Sequence, residues 1–291
     1  MRDEEREARQ ILRRAQDHLF QSHLNFGAQH ETLGFVDVLY HPTNRIPYLN
    51  YVTPRKKTAW VPGPEVKRGL EFLRERDRLP RVHYVEGLFP PLFARSLRGL
   101  GLQVVQETPI MVYTTDDPYR AIDTLPAPKI PAKLELKVVA DPHGSQLWRE
   151  IWRNAQYDVL TMGVEPLFVG QELPEAGSGH HVDAVLEEGS LPMGVVRVTV
   201  HDESAHITAL AVLKTARIAD MLRTLQYAAL RAALERKATL VFAPGENEQE
   251  RALYRELGFV DSGSIVCYAE QPEAAPKETD DTLAQPVLTL R

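Results

Sequence analysis

The stretch Asn247-Glu248-Gln249-Glu250-Arg251-Ala252-Leu253-Tyr254-Arg255-Glu256-Leu257-Gly258-Phe259 reads as a helix followed by its own stop. Gly258 ends the helix as a left-handed residue just past the last turn, a place glycine fills without steric cost. Phe259 returns the chain to the core. Tyr254 stands on the helix face near the strand ends, its hydroxyl aimed into a cleft. Immediately upstream, Ala238 to Phe242 is a compact apolar strand. Before it a long helix runs from about Ala216 to Lys237, with Ile218, Met221, Leu222, Leu225, Ala229 and Ala232 as its buried stripe. His206 to Leu213 and Ser264 to Tyr268 read as strands on either side. The order is therefore βαβα and a closing strand. The loop from Val212 to Ala219 leads straight into a helix N-terminus, whose unpaired N–H groups and partial positive charge suit phosphate. Every parallel β–α unit has such an end, so this feature is not specific by itself.

Further outward, Val196, Val198 and Val200 alternate with Arg197, Thr199 and His201, the period of a strand with two distinguishable faces. His201-Asp202-Glu203-Ser204 reads as a hairpin turn before the next strand. Val182 to Leu186 and Leu134 to Val139 are further strands, and Ser145 to Gln156 a helix; Tyr157 to Gly179 has no clear period. The first half opens with a helical pattern at Ala8, Ile11, Leu12, Ala15 and Leu19. Strands at Leu33 to Tyr40 and Pro47 to Val52 follow. Then come a helix at about Pro64 to Arg76, a strand at Arg81 to Val85, a helix at Leu92 to Leu100 and a strand at Val104 to Tyr113. Thr124-Leu125-Pro126-Ala127-Pro128-Lys129-Ile130-Pro131 carries three prolines, which favour an extended connection. The expected division is 1–125, 132–270 and a polar tail, 271–291.

A chain of 291 residues has room for two cores. Its formal charge of −6 argues against nucleic acid or an anionic membrane as partner, and the basic run Pro54-Arg55-Lys56-Lys57 reads as solvated surface. The lone Cys267 excludes an intrachain disulfide and a cysteine-based metal site, and it fits a reducing compartment. There is no apolar run of the ~20 residues a membrane span requires, and no secretory leader pattern. A cytoplasmic protein is expected. His180 and His181 point to opposite faces of a strand, so no metal is expected there. Trp148 and Trp152, four apart on a helix, read as core or cleft wall.

The stretch from Asn247 to Phe259 closely resembles the N-x-x-A-x-x-L-Y-x-x-x-G-F motif of the GNAT superfamily of N-acetyltransferases, with Glu250 where alanine is usual. The resemblance implies an α/β (α+β) fold of two tandem GNAT-like domains. Each would be a mixed, mostly antiparallel central sheet flanked by helices. It also implies acyl-CoA-dependent N-acyl transfer, from acetyl-CoA to the primary amine of a small molecule or peptide. In that family the tyrosine protonates the departing thiolate and the asparagine helps hold the pantetheine arm; those roles fall on Tyr254 and Asn247. The phosphate-loop pattern, approximately R/Q-G-x-G-I-G/A, aligns with Lys214-Thr215-Ala216-Arg217-Ile218-Ala219, which with Val212 and Leu213 forms the expected coenzyme-binding segment. Thr215 and Arg217 stand where glycines let backbone approach a pyrophosphate. Either Thr215 caps the helix while Lys214 and Arg217 add charge for the phosphates, or Arg217 fills the cradle and the chain is a non-catalytic ligand-sensing or protein-interaction module. In the first half, Leu92 to Leu102 followed by Ile110 to Tyr113 resembles the close of a degenerate repeat, and Thr53 to Thr58 stands at its loop position, unlike the motif. His206, Glu203 and His201 are candidate general bases, with His206 placed on the same face as Thr208 and Leu210.

Overall fold

The computed structural model describes residues 2–56, 58, 60–128, 133–156, 180–213 and 218–270. The expected tail at 271–291 and the unclear segment at 157–179 lie outside them. In the first half, α1 (Arg2–Asn25) leads into β1 (Gln29–Leu33), β2 (Val36–Tyr40) and β3 (Tyr51–Pro54). Then come α2 (Gly63–Glu75), β4 (Arg81–Val85), α3 (Pro91–Gly99), β5 (Leu102–Thr114) and the short α4 (Pro118–Thr124). The second half runs β6 (Leu134–Val138), α5 (Pro142–Gln156), β7 (His181–Glu188), β8 (Leu191–His201) and β9 (Ser204–Val212). It closes with α6 (Ile218–Glu235), β10 (Leu240–Pro244), α7 (Glu248–Glu256) and β11 (Val260–Glu270). Three local readings change. Leu33 to Tyr40 is not one strand but the end of β1, a turn with Gly34 at φ 62°, and β2. Pro47–Leu49 is a 3-10 turn and not the start of a strand. Asp117 caps the short α4, which the sequence reading did not include, accepting the Tyr119 and Arg120 N–H groups.

All described strands join one sheet in the order β1-β2-β3-β4-β11-β5-β10-β9-β8-β7-β6. Only β3 with β4 and β10 with β9 are parallel; the rest are antiparallel. The halves repeat one pattern: β2-β3-α2-β4-α3-β5, then β8-β9-α6-β10-α7-β11. Their last strands are exchanged. β11 lies beside β4, and β5 beside β10. The two exchanged strands pair with each other from Val260↔Val112 to Glu270↔Leu102. The sheet is thus continuous across the boundary between 1–125 and 132–270, and backbone hydrogen bonds cross it on both sides.

The two faces are covered differently. Val82 and Tyr84 pack with α2 and α3, and Val196, Val198 and Val241 pack with α6 and α7. The opposite face carries α1 over Val85, Ile110, Val112, Leu240 and Phe242, and α5 over Val185, Val195 and Ala211. On β8, Arg197 lies under Trp148 of α5 and Thr199 bonds His18 of α1, so those two helices share a face. Helix α1, though part of the first half, therefore reaches over strands of the second. No helix among the described residues is long and apolar enough to cross a membrane.

Candidate functional site

β9 and β10 are partners only at their beginnings, through Leu240↔Ser204, Val241↔Ala205 and Phe242↔His206. β9 continues to Val212 with no further pairing to β10 among the described residues. Its edge on that side is therefore unpaired beyond Phe242↔His206 among the described residues. A bulge stands just beyond that pair. Val198 pairs with Ile207 and Arg197 with Ala209, so Thr208 is the extra residue. The bulge reverses the alternation of side chains. Ala205 and Ile207 face α6 before it; Leu210 and Val212 do so after it. His206 and Leu210 therefore lie on opposite faces, which corrects the period-two expectation. The Thr208 hydroxyl is buried without a hydrogen-bond partner.

On the α1 face the His206 ring stacks on Phe242, 4.3 Å between centroids, and stands 6.0 Å from His18. Burial holds its pKa well below the ordinary histidine value, with His18 and His23 adding to the effect, so the ring is neutral. Its Nδ1 is buried and has no partner. His201 and Glu203 stand apart in the hairpin, where Asp202 takes a left-handed conformation (φ 49°).

On the other face α7 ends as the sequence implied. Gly258 has φ 90°; its N–H reaches Arg255 O at 3.0 Å and the Phe259 N–H reaches Tyr254 O at 3.1 Å, a Schellman close. Tyr254 is 2% exposed and packs in the α6 core against Phe259, 4.9 Å between rings. The expectation of a hydroxyl standing in an open cleft is thus replaced by a phenol enclosed in the core. Burial, with Glu250 and Glu246 nearby, raises its pKa far above the usual tyrosine range, and it stays protonated. Asn247 caps α7: its Oδ1 accepts the Glu250 N–H at 2.9 Å and its Nδ2 donates to Glu250 Oε1 at 2.8 Å. The glutamate that replaces the family's alanine closes this reciprocal cap.

Of the coenzyme-binding segment, Val212 is buried, Leu213 donates its N–H to Met193 O at 2.7 Å, and Ile218 and Ala219 open α6. Lys214, Thr215, Ala216 and Arg217 lie outside the described residues. Cys267 is buried in β11, where burial raises its pKa. Among the described residues there is no group of three His, Cys, Asp or Glu side chains that could hold a metal ion.

The residues missed from sequence lie beside the bulge. Arg197, 0% exposed, donates from Nε and Nη2 to the two oxygens of Asp183, both at 2.6 Å. Its guanidinium lies 4.5 Å from the Trp148 ring, and Trp148 Nε1 donates to Val196 O. Trp148 and Trp152 are stacked at 5.7 Å, as core residues. The available signal was cross-strand: Asp183 and Arg197 are register partners on adjacent strands.

No protein-family model and no curated protein matches the sequence. Solved structures do match. A GCN5-related N-acetyltransferase from Kribbella flavida superimposes with a TM-score of 0.70 at 19% identity, over 89% of this chain and 95% of its own. A second from Sphaerobacter thermophilus gives 0.58 at 14% identity, over 83% of each chain. A tandem GNAT protein from the clavulanic acid biosynthesis pathway gives 0.52 at 15% identity, over 82% of this chain and 79% of its own.

Proposed function

The chain has the fold of the GNAT N-acetyltransferases, and from that premise we propose that it is an acyl-CoA-dependent N-acyltransferase of tandem type whose second repeat carries the site. The observation that carries this reading is the β9 edge left unpaired beyond Phe242↔His206, with the Thr208 bulge beside it. An orphaned buried hydroxyl beside an unpaired strand edge suits an extended, amide-bearing arm, so the residues present fit a coenzyme. The β9 edge would hold the arm, and 212–219, ahead of the α6 N-terminus, would hold its phosphates. Bound there, acetyl-CoA would supply an activated acyl thioester. Tyr254, kept protonated by burial, holds a proton for a leaving thiolate from one face. His206, neutral and with a free Nδ1, takes the proton of an acceptor amine from the other. A small-molecule or peptide amine is the acceptor class, and the cytoplasm the compartment.

A second reading is favoured by Asn247. Both polar atoms of its side chain are used within the α7 cap, leaving less to offer a pantetheine arm. With Thr215 and Arg217 in the loop, this supports a non-catalytic ligand-sensing or interaction module.

Thermal denaturation with and without acetyl-CoA tests the first reading. Ligand at about 100 times its Kd stabilises by about 2.7 kcal/mol, a rise in Tm of roughly 5 °C for a chain of this size. No rise at millimolar acetyl-CoA would sink the coenzyme site. Where the rise is seen, Tyr254→Phe should keep it and lower release of free CoA thiol, with amine present, by about 100-fold or more. Undiminished thiol release in that variant would remove Tyr254 as the acid, and no release from the parent chain would leave the module reading.

A further inference from the structure

Among the described residues the sheet ends in two outer strands, β1 and β6. An outer strand leaves a row of N–H and C=O groups without partners, and a further chain can pair with them. β1 is polar there: Gln29, His30, Glu31 and Thr32 are all exposed. β6 is not. Its Leu134, Leu136 and Val138 share the α6 face with their neighbours across the pair, Leu186 and Ala184 of the core. Leu134 packs against that core, whereas Leu136 is 36% and Val138 63% exposed. The apolar stripe thus runs out of the core to an edge that nothing covers among the described residues.

The register of β6 on β7 fixes which backbone groups are free. Gly189 donates its N–H to Lys133 O and Val139 donates to Asp183 O, both at 2.9 Å. Those bonds continue the β6–β7 register, so residues 133, 135, 137 and 139 turn their N–H and C=O groups toward β7. Leu134, Leu136 and Val138 turn theirs outward. On the α5 face Glu135 stands directly across from Glu187, a like-charge pair that weakens the sheet. Lys137 serves mainly Glu187, at 2.6 Å, and lies 4.0 Å from Glu135. Glu135 is left short of a cation. The Lys137 side chain is half exposed, and its ammonium carries donors beyond the one that Glu187 takes.

We infer that the β6 edge is a self-association surface, on which β6 of a second copy adds antiparallel with Leu136 at the two-fold axis. Leu136 then faces its own counterpart, and Leu134 faces the partner's Val138. Their outward groups form the hydrogen-bonded pairs of the new ladder. Glu135 faces the partner's Lys137, and Lys137 the partner's Glu135, in the non-hydrogen-bonded pairs, where side chains lie closest. Of the registers that overlap most of β6, this one alone satisfies both backbone and charge. An axis at Glu135 or at Lys137 sets like charges against each other. A slip by one residue brings inward-turned groups to the edge and reverses the faces. The exposed Leu136 and Val138 of both copies then extend the α6-face core across the junction. Sedimentation velocity of the full chain, from low to high micromolar concentration, tests this. A reversible doubling of mass is expected only toward the upper end, because a strand pair of five residues is smaller than a standard interface. Glu135→Lys and Lys137→Glu should each weaken association by about tenfold or more. An equimolar mixture of the two variants should recover it, since opposite charges then meet in both cross-copy pairs. A folding defect does not produce that rescue. A monomer at every concentration would overturn the proposal and mean that the edge is covered within the chain. A dimer unchanged in either single variant, or a mixture that stays monomeric, would equally overturn it.

Discussion

Acidification from pH 6.5 to pH 4 is expected to unfold the protein, and the cause is a belt of buried and half-buried neutral histidines under α1. Burial is the main reason in each case. The His18 pKa is lowered to about 3, with His201 contributing. His23 is lowered to about 4 by burial. His83 is lowered to about 3, with His23 and Arg81 contributing. His206 also falls well below 6.5. In the unfolded chain each of these rings takes a proton below pH 6.5, while the folded chain refuses it until the lowered value is reached. Stability is therefore fully present above pH 6.5 and declines as pH falls through the interval. Each ring contributes up to about 1.4 kcal/mol per pH unit. For His23 alone the interval from 6.5 to 4 amounts to about 3 kcal/mol. Domains are typically stable by about 5–15 kcal/mol, so three or four such rings suffice to empty the native state. A pH titration followed by circular dichroism and tryptophan fluorescence should show a cooperative loss of structure between about pH 6 and pH 4. His83→Phe should make that loss less steep by about one proton. An intact native signal at pH 4 would mean that these rings are hydrated or already protonated in the fold.

This belt also marks where sequence reading ran out. Local periodicity located nearly every element: β4 was expected at its observed bounds, and α2, α3 and α7 within a residue or two. Their information is contained in single segments, in the apolar stripe of a helix or the alternation of a strand. The pairing of β5 with β11 is not. It joins residues 102–114 to 260–270, and nothing inside either strand names its partner. The exchange of last strands was invisible for that reason. The same holds for His18. On α1 it looks like one polar position among many, and only the reach of α1 over β8 and β9 sets it against Thr199 and His206. Thr208 failed differently. A bulge breaks the period on which strand reading depends, so a strict alternation placed His206 and Leu210 together. Tyr254 was legible as a position in a motif, whereas its enclosure by Phe259 and α6 required the packed structure.

Asp183→Ala is expected to destabilise the fold by about 3–5 kcal/mol, the usual cost of leaving one member of a buried ion pair without its partner. Arg197 is 0% exposed, and its two 2.6 Å hydrogen bonds to Asp183 are both charge-assisted. His181, whose Nε2 lies 3.8 Å from Asp183 Oδ2, brings no compensating negative charge as an imidazole. The double variant Asp183→Leu with Arg197→Met should regain most of the loss, since well-packed apolar side chains often match or exceed a buried pair in stability. Denaturant unfolding of the two single variants and the double would measure this. A loss below about 1 kcal/mol in Asp183→Ala would show that the pair is solvated and does not carry the fold. The pair also bears on the site. Arg197 is the register partner of Ala209, and Val198 that of Ile207, so Arg197 stands directly across the sheet from the extra residue, Thr208. Its guanidinium is fixed from three sides: by Asp183 on β7, by the Trp148 ring on α5 and by the β8 backbone that carries it. An apolar pair of similar volume can restore packing there but cannot reproduce the directed bonds between β7 and β8. The double variant should therefore recover its unfolding free energy while its acetyl-CoA-dependent rise in Tm remains smaller than that of the parent chain. Recovery of both together would assign the ion pair to stability alone and leave the bulge to be held by β8 and β9 themselves.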